Sequence, residues 1–468
     1  MPIPHIVPQI ALVVGAMLAL VVVIFLPRRL QAVGAPLALV ALAVAVVTQA
    51  DLAAGEGLLT FDRLWALDGA TSSAAIIICV ATGLVVLLAP EWLRSDARHG
   101  EYYPLLLLSA LGAIVMAGAA DLNELMIGLL MATVPGYVLA SYHRRSALSA
   151  EAGMKYFLLG GLTNSLMLIG LTILYGLAGT TLYADFPSSL AQRPTAALVA
   201  AVGLVAVGLA FELGAAPAHA WIPDVAEGAP APSAAFLTVV PKIGAFIGLA
   251  RLLSVLPPEA VGWRPLVALL AAVTMTLGNL AALSQEDVRR VLGWSSVSQT
   301  GYGLMAIVAL GRSELALPAL LFFLLAYAVA NIAAFGVVTE LRGRTALSDY
   351  AGLSRSRPWL AAALVLAMLS LVGIPPLVGF AAKLNLFVAT IEAGYAWLAA
   401  LAVANTVVSL VYYLRVAAPM YFGTRTRPVA VLGQSAATSV ALAVGGVLVL
   451  GLLAGPLLSA FSGAALLP

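Results

Sequence analysis

Runs of about twenty apolar residues, separated by short polar connections, fill this chain from end to end, and that pattern leaves few folds open. They resolve into about fourteen spans, each long enough to cross a hydrocarbon core of roughly 30 Å as an α-helix. Hydrophobic residues make up 62% of the 468 positions and charged residues 9%. With a mean hydropathy of +1.06, a soluble domain of this size would precipitate. The runs are too long and too evenly apolar for barrel strands, and the connections leave no room for a soluble domain. An all-α polytopic membrane protein is expected, and its first span lacks the flanks of a removable signal peptide.

The basic residues are unevenly shared between the connections. Arg28, Arg29, Arg94, Arg98, Arg144, Arg145, Lys155, Arg289, Arg290, Arg342, Arg344, Arg355, Arg357, Arg425 and Arg427 fall on one side, against Arg63, Arg193, Arg251, Arg264 and Arg312 on the other. The positive-inside rule then places both termini outside the cytoplasm, periplasmic in a bacterial inner membrane. A formal charge of +2 without long basic runs gives no case for nucleic acid, and the single cysteine, Cys79, excludes disulfides and cysteine-held clusters. No nucleotide loop and no nucleophile with a base appears, so a soluble-enzyme reading has no support.

Three basic residues, Lys242, Lys383 and Arg415, lie within spans. Ionisable groups at membrane depth cost about 2.5 to 3.5 kcal/mol even on insertion scales, and usually face a protein interior where they function. Arg415, near a span end, reads as a snorkelling side chain. Lys242 belongs to the stretch FELGAAPAHAWIPDVAEGAPAPSAAFLTVVPKIGAF, which also holds Glu212, His219, Asp224, Glu227 and five prolines. Lys383 follows Pro375 and Pro376 in SLVGIPPLVGFAAKLNLF.

Proline removes a backbone donor and leaves carbonyls unpaired, which hydrocarbon tolerates only where protein or water satisfies them. Broken backbone beside titratable side chains is what a proton path needs. The proline-interrupted stretches around Lys242 and at Pro375 and Pro376 are read as pathway elements, with Glu212, Lys242, Lys383 and His219 on the pathway. His219 shares the face of Glu212 if the helix continues, but Pro217 leaves that register open, and a structural hydrogen-bonding role fits it as well.

The layout of SAEAGMKYFLLGGLTNSLMLIG returns in SQEDVRRVLGWSSVSQTGYGLMAI five spans later, and an odd offset turns the second copy upside down. Inverted repeats with a broken helix in each half are the pattern of secondary transporters.

At PAHAWIPDVAEGAPAPSAAFLTVVPKIG, EDVRRVLGWSSVSQTGYGLMAI and SDYAGLSRSRPWLAAALVLAMLSLVGIPPLVGFAAKLNLF, with YYLRVAAPMYF, the sequence resembles the antiporter-like membrane subunits of respiratory complex I, the N-type members most closely. The resemblance implies fourteen helices, with helices 1 to 3 in residues 1–102, two inverted five-helix repeats in 103–256 and 257–422, and a last helix in 423–468. It implies a central polar axis for protons, with Lys242 and Lys383 as the lysines of helices 8 and 12, and with Pro217, Pro223, Pro375 and Pro376 matching the breaks of helices 7 and 12. It further implies that this chain holds no cofactor, and that NADH, FMN, iron-sulfur clusters and quinone belong to partner subunits, reached through neighbouring antiporter-like and quinone-site chains. The last span shows no charged lateral extension, which again fits the N type.

Two positions depart from the family's pattern. Its glutamate of helix 5 falls on Leu130, and its lysine of helix 7 falls on Glu212. Glu124, six residues before Leu130, is about 9 Å away along a helix and on another face, and reads as an interface glutamate. Either Glu212 has taken the carboxylate role and pairs with Lys242, or the subunit keeps its fold and has lost the standard pair. A cation/proton antiporter subunit, a membrane-bound hydrogenase subunit and a purely structural subunit stay open beside the proton-translocating reading.

Overall fold

Apolar side chains cover the outward faces of the helices while polar ones collect within, the arrangement that lipid imposes on a helical bundle. The computed structural model describes residues 3–94, 96, 99–191, 194–257, 262–424 and 433–468, without the side chain of Arg29. Arg98, Arg193, Arg425 and Arg427, counted in the charge bias, lie outside the described residues.

The chain opens with α1 (Val7–Phe25) and α2 (Gly34–Ala53), then a short hairpin of β1 (Leu58–Thr60) and β2 (Trp65–Leu67). Next come α3 (Gly69–Leu93), α4 (Tyr102–Gly118), α5 (Leu122–Ala140) and α6 (Ala147–Ala178). The seventh span is split into α7 (Thr195–Leu213) and α8 (Trp221–Gly228), and the eighth into α9 (Ala231–Leu237) and α10 (Val240–Val255). After α11 (Trp263–Leu283), α12 (Val288–Ala309) and α13 (Ala316–Glu340), the twelfth is split into α14 (Pro358–Val372) and α15 (Val378–Glu392). The last elements are α16 (Ala396–Phe422), α17 (Gln434–Leu452) and α18 (Ala454–Ser462).

Twelve helical stretches among the described residues are long and apolar enough to cross a membrane. The sequence expectation of about fourteen spans also counts α12 and the α14–α15 pair. The first carries Ser295, Ser296, Ser298, Gln299 and Thr300 and is buried along nearly its whole length; the second is cut by its prolines.

Carboxylates start α5 and α12. Asp121 accepts from the Asn123 N–H at 2.7 Å to begin α5, and Asp287 from the Arg289 N–H at 2.8 Å to begin α12. The centre of the bundle is formed by α9, α10, α12 and α13, which are buried almost throughout, while α1, α2 and α17 turn much of their surface outward. Close pairs are α11 with α12, α4 with α5 and α6 with α7. Residues 68 and 251 tie the ends of α3 and α10 together, with Arg251 Nη1 donating to Asp68 Oδ2 at 2.7 Å, both side chains fully buried.

Candidate functional site

Helix α7 stops where Gly214 takes a φ of +70°, a conformation glycine enters without strain, and any side chain there would collide with Ile222. The Gly214 N–H turns back onto the Phe211 carbonyl at 3.0 Å, and Ala215 N–H onto Ala210 at 2.8 Å. Residues 214–220 are irregular, and α8 begins at Trp221. The freed groups are paired from outside the helix: Trp221 Nε1 donates to the Phe211 carbonyl at 2.9 Å, Thr300 Oγ1 to the Leu213 carbonyl at 2.6 Å, and Ala216 N–H to Thr274 Oγ1 at 3.1 Å. Such pairing is what permits broken backbone at this depth.

Pro217 lies in the break, whereas Pro223 sits in the first turn of α8, where the missing N–H costs nothing. The helix does not continue through His219, so that residue does not inherit the face of Glu212. Its ring leans on Trp294 with centroids 5.5 Å apart, and its Nδ1 has no protein partner.

A further interruption, at Thr238–Val239, separates α9 from α10. Pro241 cannot donate to the Leu237 carbonyl four residues back, and within the interruption the Thr238 carbonyl accepts from the Tyr327 hydroxyl at 2.8 Å. Lys242 therefore stands in the first turn of α10, 1% exposed. Its ammonium donates to the Ser296 carbonyl at 2.9 Å, Ser296 Oγ at 2.6 Å and Thr300 Oγ1 at 3.0 Å, all on α12. Tyr327 completes the group, its hydroxyl 2.8 Å from Ser296 Oγ and its ring under the ammonium at 5.9 Å.

Glu212, also 1% exposed, has no hydrogen-bond partner among the described residues on either carboxylate oxygen. It makes no direct ion pair with Lys242, yet each is the charge that acts on the other. A carboxylate in this setting is stable only when protonated or hydrated, because an unpaired buried charge costs several kcal/mol or more. The position is therefore suited to gaining and losing a proton as the water around it changes.

The second break repeats the first in outline. Gly373, at φ +98°, ends α14, and a proline follows three residues later, as Pro217 follows Gly214. Lys383, 4% exposed, returns from α15 to donate to the carbonyls of Leu371 at 2.8 Å and Val372 at 3.1 Å. Its ammonium lies 4.0 Å from the centre of the Tyr302 ring. No ionised group acts on it among the described residues.

Helix α12 joins the two lysines. Ser296 and Thr300 hold Lys242, and Gln299 Nε2 donates at 3.0 Å to the same Leu371 carbonyl that Lys383 binds. Ser295 of the same helix is hydrogen-bonded to the Tyr413 hydroxyl. Sequence reasoning saw the hydroxyl-rich segment GWSSVSQTGYG as one arm of a repeat and did not assign its side chains to the lysines. Five buried polar residues on a membrane helix were the available signal.

Leu130 is 38% exposed and faces out of the bundle, so the position at which the sequence resemblance places a glutamate points outward. Glu124 lies in the first turn of α5 beside the capping Asp121. Arg415 reaches the Leu283 carbonyl at the end of α11 from an exposed position. Asp224 and Glu227 are not on the axis: Arg290 binds Asp224 at 2.9 Å and Glu227 at 2.6 Å, and Lys155 binds Asp224 at 2.8 Å. Arg289 caps the end of α8 through the carbonyls of Ala226 and Ala229.

Residues 119–409 match the family described as NADH:quinone oxidoreductase/Mrp antiporter, TM. NADH-quinone oxidoreductase subunit N of Mycobacterium sp. (strain JLS) is 47% identical over 407 residues, 86% of either chain. A chain of respiratory complex I from Thermus thermophilus with bound aureothin superposes with a TM-score of 0.84 at 31% identity, covering 98% of this chain and 100% of that one. A chain of the Mrp complex from Dietzia sp. DQ12-45-1b reaches 0.85 over 99% and 97%, at 22% identity, and shares the fold. With a family match over more than half its length and relatives of this identity along most of it, the chain belongs to the antiporter-like subunit N family of NADH-quinone oxidoreductase.

Proposed function

We propose that this chain translocates protons as the N-type membrane subunit of a bacterial complex I, along an axis running from Glu212 through Lys242 and α12 to Lys383. The observation that carries the reading is the pairing of two fully buried, charge-coupled groups at a broken helix. Among the described residues the Lys242 ammonium donates its hydrogen bonds only to oxygens of α12, and Glu212 has no hydrogen-bond partner. Hydration of Glu212 draws it toward the carboxylate and stabilises the ammonium of Lys242; dehydration reverses both. Ser296, Thr300, Gln299 and the freed Leu371 carbonyl lead on toward Lys383.

The chain performs no redox chemistry in this reading and holds no cofactor. NADH, FMN, iron-sulfur clusters and quinone act in partner subunits, and the neighbours in the membrane are further antiporter-like and quinone-site chains. Residues 103–256 and 257–422 are the two inverted repeats, flanked by 1–102 and 423–468; the matching Gly-x-x-Pro layouts at 214–217 and 373–376 support that division. The bacterial inner membrane with both termini periplasmic agrees with Lys155, Arg289 and Arg290 gathering at one end of α8.

The test is Lys242→Met in the intact complex, reconstituted in vesicles. Protons moved per electron pair fall below the wild-type value if the reading holds, and an unchanged ratio would contradict it.

A further inference from the structure

Behind Glu212, on the side away from α12, lies a set of polar groups that the lysine axis does not use. Among the described residues the hydroxyls of Tyr137 and Tyr156 and the Oδ1 of Asn164 are buried without a well-formed hydrogen bond, like both oxygens of Glu212, with Tyr137 within reach of the Thr133 and Asn164 side chains. Helix packing brings them to one place. Helices α6 and α7 run antiparallel, with Gly160 against the Phe211 ring and Met167 against Gly208, so Asn164 falls between these contacts, level with the last turns of α7. The Tyr137 hydroxyl rests on Gly160, where any side chain would displace it. Tyr156 stacks on Trp221 at 4.2 Å and on Phe211 at 5.5 Å, and meets Tyr137 edge-on at 4.9 Å. The charge of Glu212 reaches both tyrosines.

Aromatic packing alone does not account for the set. Phenylalanine would fill the same stacks without burying a hydroxyl that lacks a well-formed hydrogen bond, and such burial is unfavourable. Three such polar groups beside a carboxylate in the same state call for shared water. They extend from Glu212 to the end of α5 that leads into the connection holding Arg144 and Arg145, the side read as cytoplasmic.

We propose that Tyr137, Tyr156 and Asn164, with water, form a relay that delivers protons to Glu212 from the α5–α6 side, the task a carboxylate at the outward-facing position 130 could not perform from where it points. The inference rests on the proton-translocating reading. In each hop a tyrosine oxygen accepts a proton from water on one side while its own proton passes to water on the other. The relay ends unchanged, and the net result is one proton on Glu212. Asn164 orients the water through its carbonyl oxygen and amide.

The experiment uses the intact complex in vesicles, with Tyr137→Phe combined with Tyr156→Phe, and separately Asn164→Ala. The double variant keeps the ring stacking and loses only the hydroxyls. Protons per electron pair are expected to drop to the value that Glu212→Gln gives. The carbonyl stretch of protonated Glu212, assigned by its loss in Glu212→Gln, is expected to shift in Tyr156→Phe, which loss of packing elsewhere would not produce. A wild-type ratio in the double variant and in Asn164→Ala, with a lowered ratio in Glu212→Gln, overturns the relay while leaving the axis standing. A wild-type ratio in Glu212→Gln as well overturns both.

Discussion

The two helix breaks hold their lysines in different ways. At the twelfth span, Lys383 binds the carbonyls that its own break has freed, at the end of α14 where the helix dipole is negative, and no ionised partner acts on it. At the seventh and eighth, Lys242 binds oxygens of a different helix, and a carboxylate stands nearby without contact. The first arrangement is a cradle of backbone dipoles, linked to the Lys242 site through Gln299 of α12. The second couples two charges across a gap, so the state of one depends on the other. Backbone alone suffices to keep a lysine in the membrane; exchanging protons with a partner requires a second titrating group.

The same substitution at both breaks tests this difference. Lys242→Met removes the one charge that acts on Glu212 among the described residues and forfeits three charge-assisted bonds to α12, and is expected to have the larger cost. Lys383→Met forfeits charge-assisted bonds to carbonyls, worth about 1.5 to 3 kcal/mol, and Gln299 still serves Leu371. Chemical denaturation of the purified complex, followed by subunit N loss, compares the two. Equal costs would erase the distinction. A smaller effect is expected at Thr300→Val, which loses the bonds to the Leu213 carbonyl and to Lys242 while Ser296 remains: about 1 kcal/mol, read by the same assay.

Much of the architecture was legible because lipid allows so few solutions. Apolar run length located the helices, and Pro217, Pro375 and Pro376 marked both breaks. Glu212 and Lys242 were legible as ionisable groups in apolar surroundings, and the structure brings them into one electrostatic unit. The break at Thr238–Val239 was missed because Pro241 lies in an apolar run that reads as continuous. Pro223 looked like a breaker from its type, yet its place in the first turn of α8 makes it a starter. Ser296, Thr300 and Gln299 stayed hidden for a different reason. Which lysine a serine serves depends on how α12 is turned against α10 and α14, and helix rotation is set by packing that a single sequence does not display. The outward direction of Leu130 was hidden likewise.

The central claim is that Glu212 and Lys242 load and release a proton as a unit. Glu212→Gln keeps the size and hydrogen-bonding ability of the side chain and removes only its titration. Protons moved per electron pair by the reconstituted complex are the direct readout. The account expects Glu212→Gln to lower that ratio as far as Lys242→Met does, with the double variant no lower than either alone. A wild-type ratio in Glu212→Gln would contradict it.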